Sequence, residues 1–185
     1  MSIRVIRVQV FCFFIMSLLD IIKGRRSIRE FKKKEIPEEV IEKLIDAIIW
    51  SPSAGNLQSR FFYFVFNPEI KKGLVRSALD QEFIASAPLS IVGCCDYHIS
   101  QRYGNRGKEL YTIQDVAVSI QNLMLTAYEQ GLGSTWVGAF REEDVREILN
   151  IPPHLRPVVI VPIGYPDEEP LPPKMVSRDK AIKIV

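Results

Sequence analysis

Between Lys108 and Gln130 the chain places Ile113, Val116, Ala117, Ile120, Leu123, Met124 and Ala127 on one face of a helical repeat, and Gly131 follows where a helix would end. This pattern predicts the longest helix of the protein. Its apolar stripe needs cover along its length, so the helix suits the centre of a domain or a contact between subunits. Leu18, Leu19, Ile21 and Ile22 predict a short first helix that Gly24 stops. Pro37, with Glu38 and Glu39 behind it, opens a second helix, and Val40, Ile41, Leu44, Ile45, Ile48 and Ile49 give it a broad apolar face that ends near Trp50. Further helices are expected over 68–80 and 142–149. Strands are expected over the aromatic run 61–66, over the buried run 89–95 between Pro88 and Asp96, and over 134–138 and 157–164.

A chain of 185 residues, 47% of them hydrophobic and without internal repeat or linker, reads as one domain with one sizeable core, neither disordered nor fibrous. At the start, Met1 to Met16 carries Arg4, Arg7 and the apolar run Val8 to Met16, broken only by Gln9. That run resembles the core of a signal peptide but lacks a small-residue cleavage site, and it falls short of the roughly 20 apolar residues that span a bilayer. No membrane partner is expected. Residues 1–16 are read as an extension from an upstream start codon, residues 17–170 as the domain, and residues 171–185 as its C-terminal arm. The Pro-rich arm ends in a β segment over 181–185, and docking on a neighbouring chain would bury its apolar residues.

The net charge of +2 hides a local excess: residues 23–34 hold seven Lys or Arg against one Glu, which is +6 and leaves −4 elsewhere. A confined anion site fits this better than a broad polyanion-binding face. Cys12, Cys94 and Cys95 are odd in number and show no ligand spacing, so neither a disulfide framework nor a zinc site is supported, and the compartment reads as reducing and cytoplasmic. The two histidines, His98 and His154, stand far apart in the sequence. No metal site is expected.

Chemistry concentrates in two segments. In Gly24-Arg25-Arg26-Ser27-Ile28-Arg29 three guanidinium groups offer planar forks of donors that match phosphate oxygens. In Ser51-Pro52-Ser53-Ala54-Gly55-Asn56-Leu57-Gln58 hydroxyl, amide and backbone N–H groups could meet the polar edge of a ring. Together they suit a planar cofactor that carries a phosphate.

The order of motifs extends this: R-R-S-x-R, a helix, S-P-S-A-G-N-x-Q, Ala87-Pro88 before a buried strand, G-x-G-S-x-W-V-G over 131–138, and P-I-G-Y-P over 162–166. From about Ser17 to Met175 the chain resembles the FMN-dependent nitroreductase-like flavoenzymes. The resemblance implies an α+β fold with a central, mostly antiparallel sheet flanked by helices, assembled as an intertwined homodimer with exchanged C-terminal arms and two FMN sites at the interface. Arg25, Arg26, Ser27 and Arg29 would take the phosphate, the ribityl chain and the N1/O2 side of the flavin. Pro52, Ser53, Ala54, Asn56 and Gln58 would come from the other subunit. Trp136, Val137, Gly138 and Ala139 would line the ring, with the backbone of Gly138 and Ala139 near flavin N5. Gln81 stands near the position of an amide in relatives, whereas Glu82 and Ile84 supply no cation there. Lys174 and Arg178 are approximate counterparts of a C-terminal basic pair that helps hold the phosphate. The long helical insertion that caps the substrate pocket in larger relatives is lacking.

The implied activity is electron transfer from NADH or NADPH to an electron-poor small molecule such as a nitroaromatic or quinone, by a ping-pong mechanism that needs no protein nucleophile. Arg29 would stabilise the negative charge that builds at N1/O2 on reduction. No G-x-G-x-x-G fingerprint occurs, so the nicotinamide would be held transiently rather than in a dinucleotide fold. Two alternatives stay open: an FMN-holding protein without turnover, and a phosphate or nucleic-acid patch over 23–34. Nucleic acid is disfavoured because the tract has no interleaved stacking aromatics apart from Phe31 and the rest of the chain is net acidic. Between the buried strand and the long helix, Tyr97, His98, Tyr103 and Arg106 are the polar candidates for the pocket above the flavin, with an ordinary exposed loop as the favoured reading.

Overall fold

The computed structural model describes residues 16–185, so the expectations for Met1 to Ile15 lie outside the described residues. The helices are α1 (Leu18–Gly24), α2 (Glu38–Ile49), α3 (Pro68–Ser77), α4 (Phe83–Ser86), α5 (Ser100–Arg106), α6 (Thr112–Glu129), α7 (Glu142–Leu149) and α8 (Arg178–Ala181). The strands are β1 (Arg60–Val65), β2 (Leu89–Asp96), β3 (Gly133–Ser134) and β4 (Leu155–Gly164). They form one sheet in the order β1-β2-β4-β3, antiparallel at each step. No described helix is long and apolar enough to cross a membrane.

Helix ends follow from local chemistry. Ser17 and Asp20 cap α1 reciprocally, and Asn67 accepts the Glu69 and Ile70 N–H groups (2.9 and 3.2 Å) ahead of Pro68 in α3. Gly131, at φ 74°, closes α6: its N–H donates to the Tyr128 carbonyl (3.0 Å) and that of Leu132 to the Ala127 carbonyl (2.8 Å), which satisfies the last turn.

Strand β2 is buried on both faces, as its nearly continuous apolar run requires. On one side Leu89, Ile91 and Cys95 pack with Leu44 and Ile48 of α2 and with Val116, Ile120, Leu123 and Met124 of α6. On the other, Val92 and Cys94 pack with Leu74 of α3, Ile84 of α4 and Val145 of α7. The long helix therefore lies along the sheet at the centre of the protomer.

Several elements differ from the sequence expectation: α3 stops at Ser77 short of Asp80, where Leu79 and Asp80 turn to positive φ, and the short α4 falls where no helix is expected. The strand expected over 134–138 is interrupted after Ser134, and Val137 rejoins only as an isolated bridge to Ile160. Val137 and Ile160 exchange both backbone bonds (2.9 and 3.0 Å), which turns the backbone of 160, 162 and 164 toward β3. Residue 162 is a proline with no N–H to give, so the ladder breaks there and Trp136 bows out to 43% exposure. The stretch before the long helix is helical rather than a loop: a 3₁₀ turn over Tyr97–Ile99, then α5, then a π turn over Gly107–Tyr111 that leads into α6. The β segment expected at 181–185 is absent; α8 ends at Ala181 and 182–185 carry no regular structure. A strand needs a partner strand to complete its hydrogen bonds, and no described strand of the protomer pairs with this segment.

Candidate functional site

The arginine segment leaves α1 and runs beside β3 and the exit of β4. Ser27 bridges Ser134, Ile28 N–H donates to the Ser134 carbonyl (3.1 Å), and Lys32 N–H donates to the Tyr165 carbonyl (2.9 Å). The approach is close because Gly133 has no side chain: a Cβ there would lie 2.6 Å from Ile28 Cγ1 and 2.7 Å from its Cβ. Gly133 and Ile28 thus set where Arg25 to Arg29 lie.

The three arginines do different things. Arg26 turns back, and its Nη1 donates to the carbonyls of Lys23, Gly24 and Arg25 (2.6, 3.2 and 2.8 Å), which completes the C-terminus of α1. Arg25 is half-buried and its Nη1 has no partner among the described residues. Burial, and then the charge of Arg26, holds the Arg25 guanidinium below its ordinary value. The Arg29 side chain is exposed, while the Arg29 and Glu30 N–H groups donate to Glu168 Oε1. Lys34 rests 3.7 Å over the Tyr165 ring. With Arg26 turned onto carbonyls and Lys34 onto a ring, residues 23–34 do not form one continuous cationic face.

Two clefts flank this segment. The larger, about 490 Å³, is lined by Arg26, Tyr128, Glu168 and Glu169, and its carboxylates oppose a phosphate. The smaller, about 370 Å³, has Arg25 and Arg26 on one wall and Pro172, Pro173 and Met175 on the other. It is the better place for an anion, and Lys174 belongs to the stretch of arm that walls it.

The second segment is held by residues that the sequence motif does not name. Arg60 donates to the carbonyls of Pro52, Ile48, Ile49 and Ser51 (3.0, 3.2, 3.2 and 2.8 Å), tying the loop to the end of α2. Asn122 donates to Ser51 Oγ (2.8 Å), and Ser53 Oγ accepts the Gln58 N–H (3.0 Å). Gly55, Asn56 and Gln58 take φ values of 56°, 55° and 52°; the last two are uncommon outside glycine and show that the loop's shape is imposed on it. Tyr103 of α5 sits against Gly55. Behind the loop, Asp115 Oδ1 accepts the Ala54 N–H (2.9 Å), while its Oδ2 is buried without a partner. Burial raises the Asp115 carboxyl above its ordinary value, opposed by the Ala54 N–H and the Arg60 charge.

Gln81 follows Leu79 and Asp80, both at positive φ (57° and 58°), and its Nε2 donates to the Ala78 carbonyl (2.8 Å) and reaches the Ala139 carbonyl at 3.4 Å. This brings Gln81 to the Trp136-Val137-Gly138-Ala139 turn, in which Val137 is buried and the other three are exposed. Arg178 lies on α8, exposed with the rest of the arm. The hydrogen bonds of the arginine segment go to α1, β3 and the exit of β4, and those of the 51–58 loop to α2, β1 and α6; none within the protomer joins the two segments among the described residues.

Sequence reasoning missed Arg60 and Asp115, and it named Tyr103 without placing it against the 51–58 loop. The legible signals were a cation opening an aromatic strand and an acid beside the apolar stripe of the longest helix. It also read the two histidines as unrelated, yet β2 and β4 carry them to the same end of the sheet, with ring centroids 4.4 Å apart.

A three-layer α+β protomer with a cationic segment and a conformationally constrained polar loop is the architecture of a family of flavin-using oxidoreductases, and comparison with known proteins agrees. A family model described as the Nitroreductase family matches residues 22–82 and 74–165. A Methanothermobacter thermautotrophicus protein named for NADH dehydrogenase/NAD(P)H nitroreductase activity is 35% identical over 159 residues, covering 84% of this chain and 80% of its own. Among solved structures, nitroreductase A from Vibrio parahaemolyticus superposes with a TM-score of 0.82 at 26% identity, covering 90% of this chain and 74% of its own. The NADPH:FMN oxidoreductase from Vibrio harveyi complexed with NAD+ gives a TM-score of 0.82 at 25% identity, covering 90% and 76%. The chain belongs to the nitroreductase family.

Proposed function

We propose that this protein is an FMN-dependent oxidoreductase that draws electrons from NADH or NADPH and delivers them to a small electron-poor acceptor, such as a nitroaromatic or quinone, acting as a cytoplasmic homodimer. One observation carries the reading: Arg25 Nη1, a buried guanidinium nitrogen without a partner among the described residues, lies on the segment that the motifs assign to a phosphate, and the other such atom, Asp115 Oδ2, lies on α6 behind the 51–58 loop that Asp115 holds. Native proteins seldom leave such atoms unsatisfied, so each calls for a hydrogen-bond partner that the described residues do not supply.

The donor set fits FMN. Arg25, desolvated and facing no counter-charge, suits the phosphate; Arg26 and Ser27 beside it, with Lys174 from the arm and Arg178 beyond, extend that site. The partner's loop, through Pro52, Ser53, Ala54, Asn56 and Gln58, takes the other side of the cofactor, with Asp115 holding that loop from behind through the Ala54 N–H. Gln81, Trp136 and Val137 form the wall by the ring, and Gly138 and Ala139 leave backbone groups exposed there. Bound FMN supplies the hydride-accepting chemistry that no side chain of this chain offers. Arg29 contributes positive charge on the pyrimidine side, and the Trp136 turn leaves one face open to two substrates in succession. The relatives' names support the electron donor and the cofactor: an NAD(P)H nitroreductase in one case and an NADPH:FMN oxidoreductase in the other.

The test is anaerobic reduction. The purified protein is expected to be yellow, to bleach on addition of NADPH or NADH, to recover colour with a nitroaromatic or quinone, and to give parallel double-reciprocal plots. A colourless protein, or one whose flavin neither nucleotide reduces, would contradict the function; clearly intersecting plots would contradict the single shared site.

A further inference from the structure

The chain has only two histidines, 56 positions apart, and both arrive beside Asp96 at the end of the sheet formed by the start of β4 and the end of β2. Asp96 pairs with Leu155, the neighbour of His154, and the Tyr97 N–H donates to the His154 carbonyl (2.8 Å). Asp96 Oδ1 accepts the His98 N–H (2.9 Å), fixing the 3₁₀ turn, and lies 2.8 Å from His98 Nδ1. One side-chain ligand atom from each of Asp96, His98 and His154 lies within 4.8 Å of the others.

We propose that Asp96, His98 and His154 form a binding site for a borderline divalent transition-metal ion of the zinc class, separate from the cofactor segments. Two imidazoles and one carboxylate are the ligand set that such ions prefer, and three protein ligands leave a fourth position for water. Bonds of about 2.0–2.2 Å set ligand atoms roughly 3–4 Å apart, so small side-chain rotations close the observed arrangement around an ion. The backbone supplies the preorganisation. Asp96 N–H lies 3.2 Å from the Ser59 carbonyl and 3.1 Å from Thr112 Oγ1, and His154 is held by its bond to Tyr97. The guanidinium of Arg156, two residues beyond His154, is paired with Glu142 at 2.7 and 2.8 Å. Ser59 ends the stretch that carries the 51–58 loop, so an ion here would tie that loop's exit to α6 and to both central strands.

The experiment uses tag-free protein stripped with a chelator and titrated with Zn²⁺ by calorimetry and with Co²⁺ by visible absorption. In ¹⁵N-labelled wild-type protein the only two imidazole spin systems report binding directly, without any substitution. One ion per chain is expected, with both imidazoles shifting together, a rise in Tm with metal, and at least 10-fold weaker binding in each of His98→Ala, His154→Ala and Asp96→Asn. No saturable binding, a shift of one imidazole alone, or binding that survives both histidine replacements would overturn the site and leave only an Asp–His hydrogen bond beside a tilted ring. Flavin content plays no part in these readouts, so the metal site and the FMN reading fail separately.

Discussion

Arg25 and Arg26 are neighbours with opposite fates. Arg26 is consumed by three carbonyls at the end of α1, and Arg25 keeps a desolvated nitrogen that no described residue meets. The sequence could nominate both arginines; it could not divide them, because the division depends on how the chain turns after Gly24. Loss of one charge-assisted contact to a phosphate is worth roughly 1.5–3 kcal/mol, so Arg25→Ala is expected to weaken FMN binding about 10- to 100-fold, measured by fluorescence titration of the apoprotein. Arg26→Ala is expected to destabilise α1 as well, seen as a lower Tm. The cysteines give a pH test. Burial, and then Cys95 beside it, pushes the Cys94 thiol up to about 12, and burial pushes Cys95 up to about 11. Thiols that ionise later in the fold than in the unfolded chain stabilise fully below the ordinary value of 9.0 and lose that contribution as pH rises from there toward about 12. Wild-type protein is therefore expected to lose Tm above pH 9.0 more steeply than a Cys94→Ala/Cys95→Ala variant, by calorimetry across that range.

At the scale of elements, periodicity and end signals carried most of the fold. Pro37 with its two glutamates and Gly131 marked helix ends that the structure keeps, and the apolar run 89–95 became the strand buried on both faces. Two kinds of feature were not legible. The break in β3 depends on which way Pro162 faces across the ladder, a property of register that a strand's own sequence does not contain. The helices between β2 and α6 lack an apolar stripe, because only Ile99 and Gly107 in that stretch are buried. The candidate site was legible as two motifs but not as a held geometry, since Arg60 and Asp115 act on the loop across the fold. The contact between Gly133 and Ile28 allows an element-scale test. Gly133→Ala should push Ile28 and the arginine segment away from β3, lowering FMN affinity by about 10-fold with circular dichroism unchanged, and Ile28→Ala in the same chain should recover part of the loss.

Among the described residues several large apolar side chains are left exposed. Leu18, Trp50, Leu171 and Ile184 are 65, 84, 89 and 95% exposed, spread over α1, the end of α2 and the arm. On the proposed reading a second copy of the chain would cover part of this surface and supply the other half of each site. The most direct measurement is subunit complementation. One chain carries Arg25→Ala, the other Ser53→Ala/Asn56→Ala; the two bear different affinity tags, are co-expressed, and the mixed dimer is isolated through both tags. If arginines of one protomer and the loop of its partner share each cofactor, one site of the mixed dimer joins two intact halves and the other joins two damaged ones. One FMN per mixed dimer is expected, with NAD(P)H oxidation restored in proportion, while both parent homodimers stay largely empty. Mixed dimers as empty as their parents would show that the two segments do not meet across subunits.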